Sequence, residues 1–423
     1  MAATHRTDVV IVGAGHSGLA MSHALAACGV PHVLLERGQV AERWRRERWD
    51  SLRLLTPNWL TRLPGCTYDG DDPDGYMGAA DVAAFIVRYA GRIGAPVQPH
   101  TTVHAVRADG ARYRVCTDRG DWQCRALVLA GGAFGRARLP RLAEALPPGL
   151  PQLHAHAYRR PAQLPPGRVL VVGASASGVQ LAQELRRSGR EVVLAVGEHV
   201  RLPRLHRGRD IQWWMHAAGV LDQRIDSVDD PGRARRIPSP QLAGGTPRAT
   251  LDLHALQDQG VELVGRLAGV RDGRALFSGG LRNACALADL KMHRLLDAVD
   301  DWARARGLPG AAEAAERPPP THLQAQPRLQ LALGRDVQAV LWATGLQPDW
   351  SWLQLPVLAS DGQLRHVAGV VDAPGVVALG LPFMRRRKSS FIHGAEDDVR
   401  ELLPQLLRQL ERTAPHARPG VPA

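Results

Sequence analysis

The sequence predicts an α/β protein built on two copies of one strand–turn–helix–strand unit, and three observations carry that expectation. The first is an internal repeat: Val10-Ile11-Val12-Gly13-Ala14-Gly15-His16-Ser17-Gly18 aligns without a gap on Leu170-Val171-Val172-Gly173-Ala174-Ser175-Ala176-Ser177-Gly178. The second is the way each copy continues, with an amphipathic helical pattern (Leu19–Cys28 and Val179–Ser188), a turn glycine (Gly29 and Gly189) and a β-branched strand containing Val33 or Val193. The third is the spacing Gly13-x-Gly15-x-x-Gly18 directly between strand and helix. In it the first glycine permits the tight turn, the second lets backbone approach a pyrophosphate, and the third lets helix pack on strand. Two Rossmann-like dinucleotide-binding domains are therefore expected.

The two cradles differ in a way that assigns their ligands. After the first, Glu36 closes the second strand, where a carboxylate accepts both ribose hydroxyls of a dinucleotide. The second has Ser175 for the middle glycine, and the position matching Glu36 is Val196, with Gly197 next to it. With no acid there, and with Arg201, Arg204 and Arg207 downstream, a 2′-phosphate meets cations, which favours NADPH over NADH. Each arginine taken singly has a surface reading as its alternative. A site with a ribose acid and a site without one point to a bound FAD that receives hydride from a transient NADPH, so that the cofactor carries the chemistry.

Composition sets the class. A chain of 423 residues, 45% hydrophobic and 22% charged, is too apolar for disorder and too long for a disulfide-stapled scaffold. The net charge of +12 comes from arginines scattered along the chain, since Lys291 and Lys388 are the only lysines. Such a surface suits an anionic small ligand as well as nucleic acid. No nucleic-acid signature accompanies the run Arg385-Arg386-Arg387-Lys388, so a solvated basic face is its plain reading and nucleic acid is not an expected partner. Five cysteines, none in CxxC, indicate reduced thiols. No apolar stretch approaches the roughly 18 residues that span a bilayer, and no signal-peptide pattern opens the chain, so a cytoplasmic location is expected. Asp69–Gly75 reads as a turn rather than a calcium loop, because Ala80 stands where the loop needs its final glutamate. The pair His154 and His156 lacks a third ligand at metal spacing, so no metal is expected.

Between the repeats, Arg112–Val115 and Arg125–Leu129 read as antiparallel strands around a turn at Asp118–Asp121. Met292, Leu295, Leu296, Val299 and Trp302 have helical spacing and belong to a helix closing near Gly307. Proline-rich segments at 147–151, 161–166 and 318–320 mark boundaries.

Three further segments complete a pattern: Arg43-Trp44 with Trp49-Asp50-Ser51-Leu52-Arg53-Leu54-Leu55-Thr56-Pro57, His154-Ala155-His156-Ala157-Tyr158, and Leu341-Trp342-Ala343-Thr344-Gly345-Leu346-Gln347-Pro348-Asp349. Together with both glycine turns they resemble the class B flavin-dependent monooxygenases, which include flavin-containing monooxygenases, plant YUCCA-type enzymes and bacterial relatives. The resemblance implies an NADPH domain inserted in an FAD domain, divided as 1–160, 161–334 and 335–423. It implies an FAD set of Gly13, Ala14, Gly15, His16, Ser17, Gly18, Glu36, Arg37, Trp44, Thr56, Val103, Gly131 and Gly345. The implied NADPH set is Gly173, Ser175, Ala176, Ser177, Gly178, Arg201 and Arg204. It also implies oxygenation of a small organic substrate, at nitrogen or sulfur, by a flavin C4a-hydroperoxide kept dry in an apolar pocket. Trp44, Trp49, Trp59, Trp350 and Trp352 are candidate walls, with core packing the alternative for each. The basic run, by the same resemblance, brings the N-terminus of a helix starting near Glu396 toward the flavin.

Departures from the pattern narrow what transfers. Ala130-Gly131-Gly132 replaces the usual first linker, Leu381 replaces an acid, and Leu55 stands where flavin-containing monooxygenases carry asparagine. No catalytic side chain is therefore assigned. Three other readings remain open: a flavin reductase or dehydrogenase, a YUCCA-like oxidative decarboxylation of a keto acid, and a dinucleotide-sensing scaffold. A homodimer is the base expectation for quaternary state.

Overall fold

The strand Val9–Val12 lies at the heart of a seven-stranded sheet because all four of its residues are apolar and buried, as a strand covered on both faces requires. His32–Leu35 and Ala126–Leu129 flank it in parallel, and Val376–Ala378 extends the sheet beyond Ala126–Leu129. The helices His16–Ala27 and Ala395–Arg412 pack against each other and share this core. This computed structural model describes residues 4–245, 247–323 and 326–413.

One strand pairing differs from the sequence expectation. Arg112–Thr117 turns back not onto residues 125–129 but onto Gly120–Cys124, within a separate four-stranded sheet. Ala126–Leu129 is a continuous apolar run with every residue buried, and it therefore goes to the centre of the large sheet rather than to a half-exposed hairpin.

The second repeat builds an all-parallel five-stranded sheet in the order Gln152–His154, Ala339–Trp342, Val169–Val172, Val192–Val196, Glu262–Gly265. This sheet crosses both boundaries read from the prolines. Gln152–His154 comes from before residue 161 and Ala339–Trp342 from after residue 334, and both are strands of the second domain. The two crossings between domains pair with each other, Arg136–Ala137 running antiparallel to Leu346–Gln347. The helical spacing around Met292 is realised in Leu281–Ala305, which buries Met292, Leu296 and Val299.

The repeat is as close in geometry as in sequence. Gly13 and Gly173 have φ of +108° and +109°, and a Cβ on either would lie 2.6 or 2.5 Å from the carbonyl oxygen of Ala130 or Ala343. No other residue tolerates both the left-handed backbone and that contact. Each turn then enters its helix through an extended residue, Gly15 or Ser175.

The basic run is a latch between the domains rather than a solvated face. Arg385 and Arg386 clasp Glu401, with Arg385 Nη2 at 2.6 Å. Arg224 of the inserted domain reaches the same carboxylate at 3.3 Å. Lys388, buried, donates to Asp222 of the inserted domain at 2.5 Å and to Asp397 at 2.7 Å. Main-chain bonds Ile225 N–H to Arg385 O (2.8 Å) and Arg387 N–H to Gln223 O (3.1 Å) complete the contact. Burial pushes the Glu401 carboxyl upward, but hydrogen bonds from Arg386 and Arg385 outweigh it and hold the group down to about 2. A carboxyl depressed on folding contributes stability that is present above its unfolded value and lost as pH falls toward the folded one. Glu401→Gln is therefore expected to lower stability by about 1–2 kcal/mol at pH 7. Chemical denaturation repeated from pH 7 down to pH 3 should show that deficit shrinking below about pH 4.5.

Candidate active site

A cavity of about 660 Å³ opens where the first glycine turn faces the inserted domain. Its wall collects residues far apart in sequence: Gly13, Gly15, His16 and Ser17 of the turn, Glu36 and Arg37 at the end of the next strand, Trp44, Leu54, Leu55 and Thr56, Val103, and Gly131–Phe134. Trp350 and Trp352, the segment Ser390-Phe391-Ile392, and Gln212, Ser239 and Pro240 of the inserted domain close it. Ala14 and Gly18 of the expected set stand behind this wall as packing, and Gly345 lies on the second crossing with φ of +89°.

The turn is shaped for a phosphate. A Cβ on Gly15 would meet no protein atom within 4 Å, so the space in front of this backbone is free. The helix His16–Ala27 points its N-terminus at that space. Ser17 Oγ and His16 Nε2 are buried there without a hydrogen-bond partner. The Glu36 carboxylate is held in place by the Ala14 N–H at 2.9 Å on one oxygen and the Gly38 N–H at 3.1 Å on the other. Each oxygen keeps a lone pair for a ligand hydroxyl. These unfilled groups fit a flavin dinucleotide.

Burial pushes the Arg48 guanidinium down to about 10 and lowers Arg43 as well, while Glu47 partly offsets both. Arg48 lies 5.1 Å above the Trp44 ring. Both arginines line the cavity, Arg43 with Glu47 3.7 Å away, and Glu36, Glu42 and Asp349 share the same wall. Burial pushes His16 down to about 4, so its imidazole is neutral at physiological pH.

In the second repeat, Gly173, Ser175, Ala176, Ser177 and Gly178 form the same turn, and none of them lines the cavity. Ser239, a cavity residue, accepts the Ala176 N–H through its carbonyl at 3.4 Å, and Gln241 Nε2 donates to Ala174 O at 2.7 Å. Arg201 and Arg204 do not stand free beside this turn. Arg201 is 2% exposed and donates to Asp252 (2.8 Å) and Asp289 (2.7 Å). Arg204 is fully buried, ion-paired to Asp210, and its Nη1 donates to Leu55 O at 3.0 Å. Arg207 is committed to Asp300 at 2.7 Å. All three guanidiniums are paired with carboxylates, which corrects their expected role at a ribose phosphate. Arg266, not singled out from the sequence, comes directly after the strand neighbouring Val192–Val196, is exposed, and carries its stem within 3.6 Å of the Cβ position of Gly197.

The tryptophans divide between wall and core. Trp44, Trp350 and Trp352 line the cavity. Trp49 packs in the core of the second domain, and Trp59 lies against His216 with ring centroids 5.6 Å apart. Among the described residues no cluster of His, Cys, Asp or Glu could hold a metal, and no helix is long and apolar enough to cross a membrane.

Comparison with known proteins agrees with this architecture. The pyridine nucleotide-disulphide oxidoreductase family model matches residues 10–216. A CzcO-like oxidoreductase of Geobacillus kaustophilus is 30% identical over 406 residues, covering 95% of this chain and 99% of the relative. The rice indole-3-pyruvate monooxygenase YUCCA1 is 34% identical over 205 residues, 46% of this chain and 49% of that protein. In fold, the chain matches a variant of a flavin monooxygenase from Stenotrophomonas maltophilia with a TM-score of 0.66 at 21% identity, covering 97% of this chain and 100% of the other. With two glycine turns alike in sequence and geometry and a relative matched along nearly its whole length, the chain belongs to the CzcO-like oxidoreductases.

Proposed function

We propose that this oxidoreductase is an NADPH-dependent FAD monooxygenase that oxygenates a small organic substrate at nitrogen or sulfur. The observation that carries the reading is the single cavity shared by the first cradle and the inserted domain, walled by Trp44, Trp350, Trp352 and Phe391 and, among the described residues, free of cysteine. A disulfide reductase needs a thiol at this place; an oxygenase needs apolar walls that keep water from the reacting centre. The names of the rice and Stenotrophomonas proteins support the same direction.

In this reading the His16–Ala27 N-terminus holds the FAD pyrophosphate and Glu36 its adenosine ribose. Bound FAD supplies two-electron reduction by NADPH and activation of oxygen. The second turn holds the NADPH pyrophosphate once the Ala176 N–H exchanges its long bond to Ser239 for a phosphate oxygen. Arg266, lying across Gly197 with no acid at Val196, is the cation that reads the 2′-phosphate. A second reading, oxidative decarboxylation of a keto acid, draws on the desolvated Arg43 and Arg48, which would hold a substrate carboxylate.

Anaerobic NADPH should bleach the bound flavin, and readmission of oxygen with a panel of thioethers and tertiary amines should give oxygenated product. Release of the reducing equivalents only as peroxide across the panel rejects oxygen transfer at nitrogen or sulfur, while carbon dioxide from added keto acids selects the second reading. Glu36→Arg is expected to purify colourless, whereas a yellow variant would refute the assignment of the first cradle. Arg266→Ala should raise KM for NADPH by about tenfold, the scale of one charge-assisted hydrogen bond, with KM for NADH unchanged. Steady-state kinetics with both donors decides it, and an equal effect on the two removes Arg266 from the phosphate site.

A further inference from the structure

We propose that Gln212 hydrogen-bonds the reacting edge of the bound flavin, so that the inserted domain contributes a side chain to the flavin site as well as the hydride donor. The proposal rests on the FAD reading above and goes beyond it in naming a residue that touches the cofactor.

The position is dictated by the layout of the cavity. Glu36 and the glycine turn fix the adenosine and pyrophosphate end of the dinucleotide. Its ring end must then face the inserted domain, because the hydride donor is bound there. Of the inserted domain's three cavity residues, Pro240 has no polar side-chain group, and Ser239 stands beside the second glycine turn, where its carbonyl accepts the Ala176 N–H at 3.4 Å. Gln212 is 2% exposed, yet its Oε1 is buried without a partner, and among the described residues no hydrogen bond engages its Nε2. A buried carboxamide left unpaired is costly, and it offers both donors and acceptors to a ligand. The carbonyl and ring-nitrogen edge of a flavin presents the complementary pair.

The side chain is also aimed. Gln212 is the second residue of the helix Ile211–Ala217, whose capping residue Asp210 takes the Gln212 N–H on Oδ1 at 2.7 Å. Asp210 is gripped by Arg204 and by the Tyr76 hydroxyl. The same Arg204 donates to the carbonyl of Leu55, whose aliphatic side chain lines the cavity. One buried ion pair thus sets the polar residue and its apolar neighbour into register across the domain interface. A buried, unpaired carboxamide on so fixed a support is organised for a ligand rather than for packing.

The test uses the full-length holoprotein and two substitutions. Gln212→Met, close in length and apolar, should keep its flavin content while shifting the visible maximum of the bound flavin. It should also raise peroxide released per NADPH oxidised by about 2- to 10-fold, the range for one lost neutral hydrogen bond. Gln212→Glu should give a bound-flavin spectrum that titrates with pH where the parent spectrum is flat, a signature that a purely structural role does not produce. Should Gln212→Met fail to fold, the titration of Gln212→Glu alone decides. Spectra that match the parent in Gln212→Met, or that stay flat with pH in Gln212→Glu, overturn the proposal while leaving the FAD reading intact. A parent protein that binds no flavin overturns both.

Discussion

The ion pair of Arg204 with Asp210 is the constraint on which the cavity depends. Arg204 is fully buried, and a charge without water is tolerable only when its partners are nearly ideal. Asp210 supplies the opposite charge, Leu55 O and Thr250 Oγ1 take further bonds from the side chain and the main chain, and the Tyr76 ring lies 4.9 Å beneath the guanidinium. Tyr76 and Leu55 belong to the first domain, Asp210 and Thr250 to the second. Arg204 and Asp210 move together, but a rotation between the domains would strip the buried guanidinium of Leu55 O and the Tyr76 ring and strip Asp210 of the Tyr76 hydroxyl, so these contacts favour one docking geometry among those that apolar packing alone would allow.

The latch around Glu401 closes the same interface at another point. It joins Arg224 and Asp222 of the inserted domain to the segment 385–401 of the first. The segment running on from it, Ser390-Phe391-Ile392, lines the cavity. Two polar clamps, one buried and one partly exposed, therefore bracket a cavity whose walls come from both domains. This division of labour suits a site in which a resident and a visiting dinucleotide must meet in a fixed relation.

Electrostatics in the cavity come from burial more than from the number of charges. Arg43 and Arg48 are depressed because water is withdrawn from them, and His16 is held neutral for the same reason. The overall charge of +12 describes a surface that draws anions in.

Local geometry was legible from the amino-acid sequence because it is set by neighbours in the chain. Gly13, Gly15 and Gly18 and their second copies announced both turns, and Glu36, Trp44, Thr56 and Gly131 lie around the cavity that those turns imply. Long side chains and strand order were not legible. Arg201 and Arg204 looked like phosphate ligands, but Arg201 pairs with Asp252 and Asp289, 51 and 88 residues away, and Arg204, whose carboxylate Asp210 is only 6 residues on, is also held by Leu55 O 149 residues away, and burial next to those groups redirected both inward. Arg266 and Gln212 carry no local signature, since each matters only for what the neighbouring strand or the other domain brings to it. Gln152–His154 and Ala339–Trp342 became one pair of strands because a parallel sheet recruits any buried apolar run that reaches it, whichever side of a proline boundary it comes from. The chain by itself determined the two cradles through backbone sterics, and the tertiary structure alone decided which charges faced a ligand, because a charged group keeps its freedom only where folding brings it no partner.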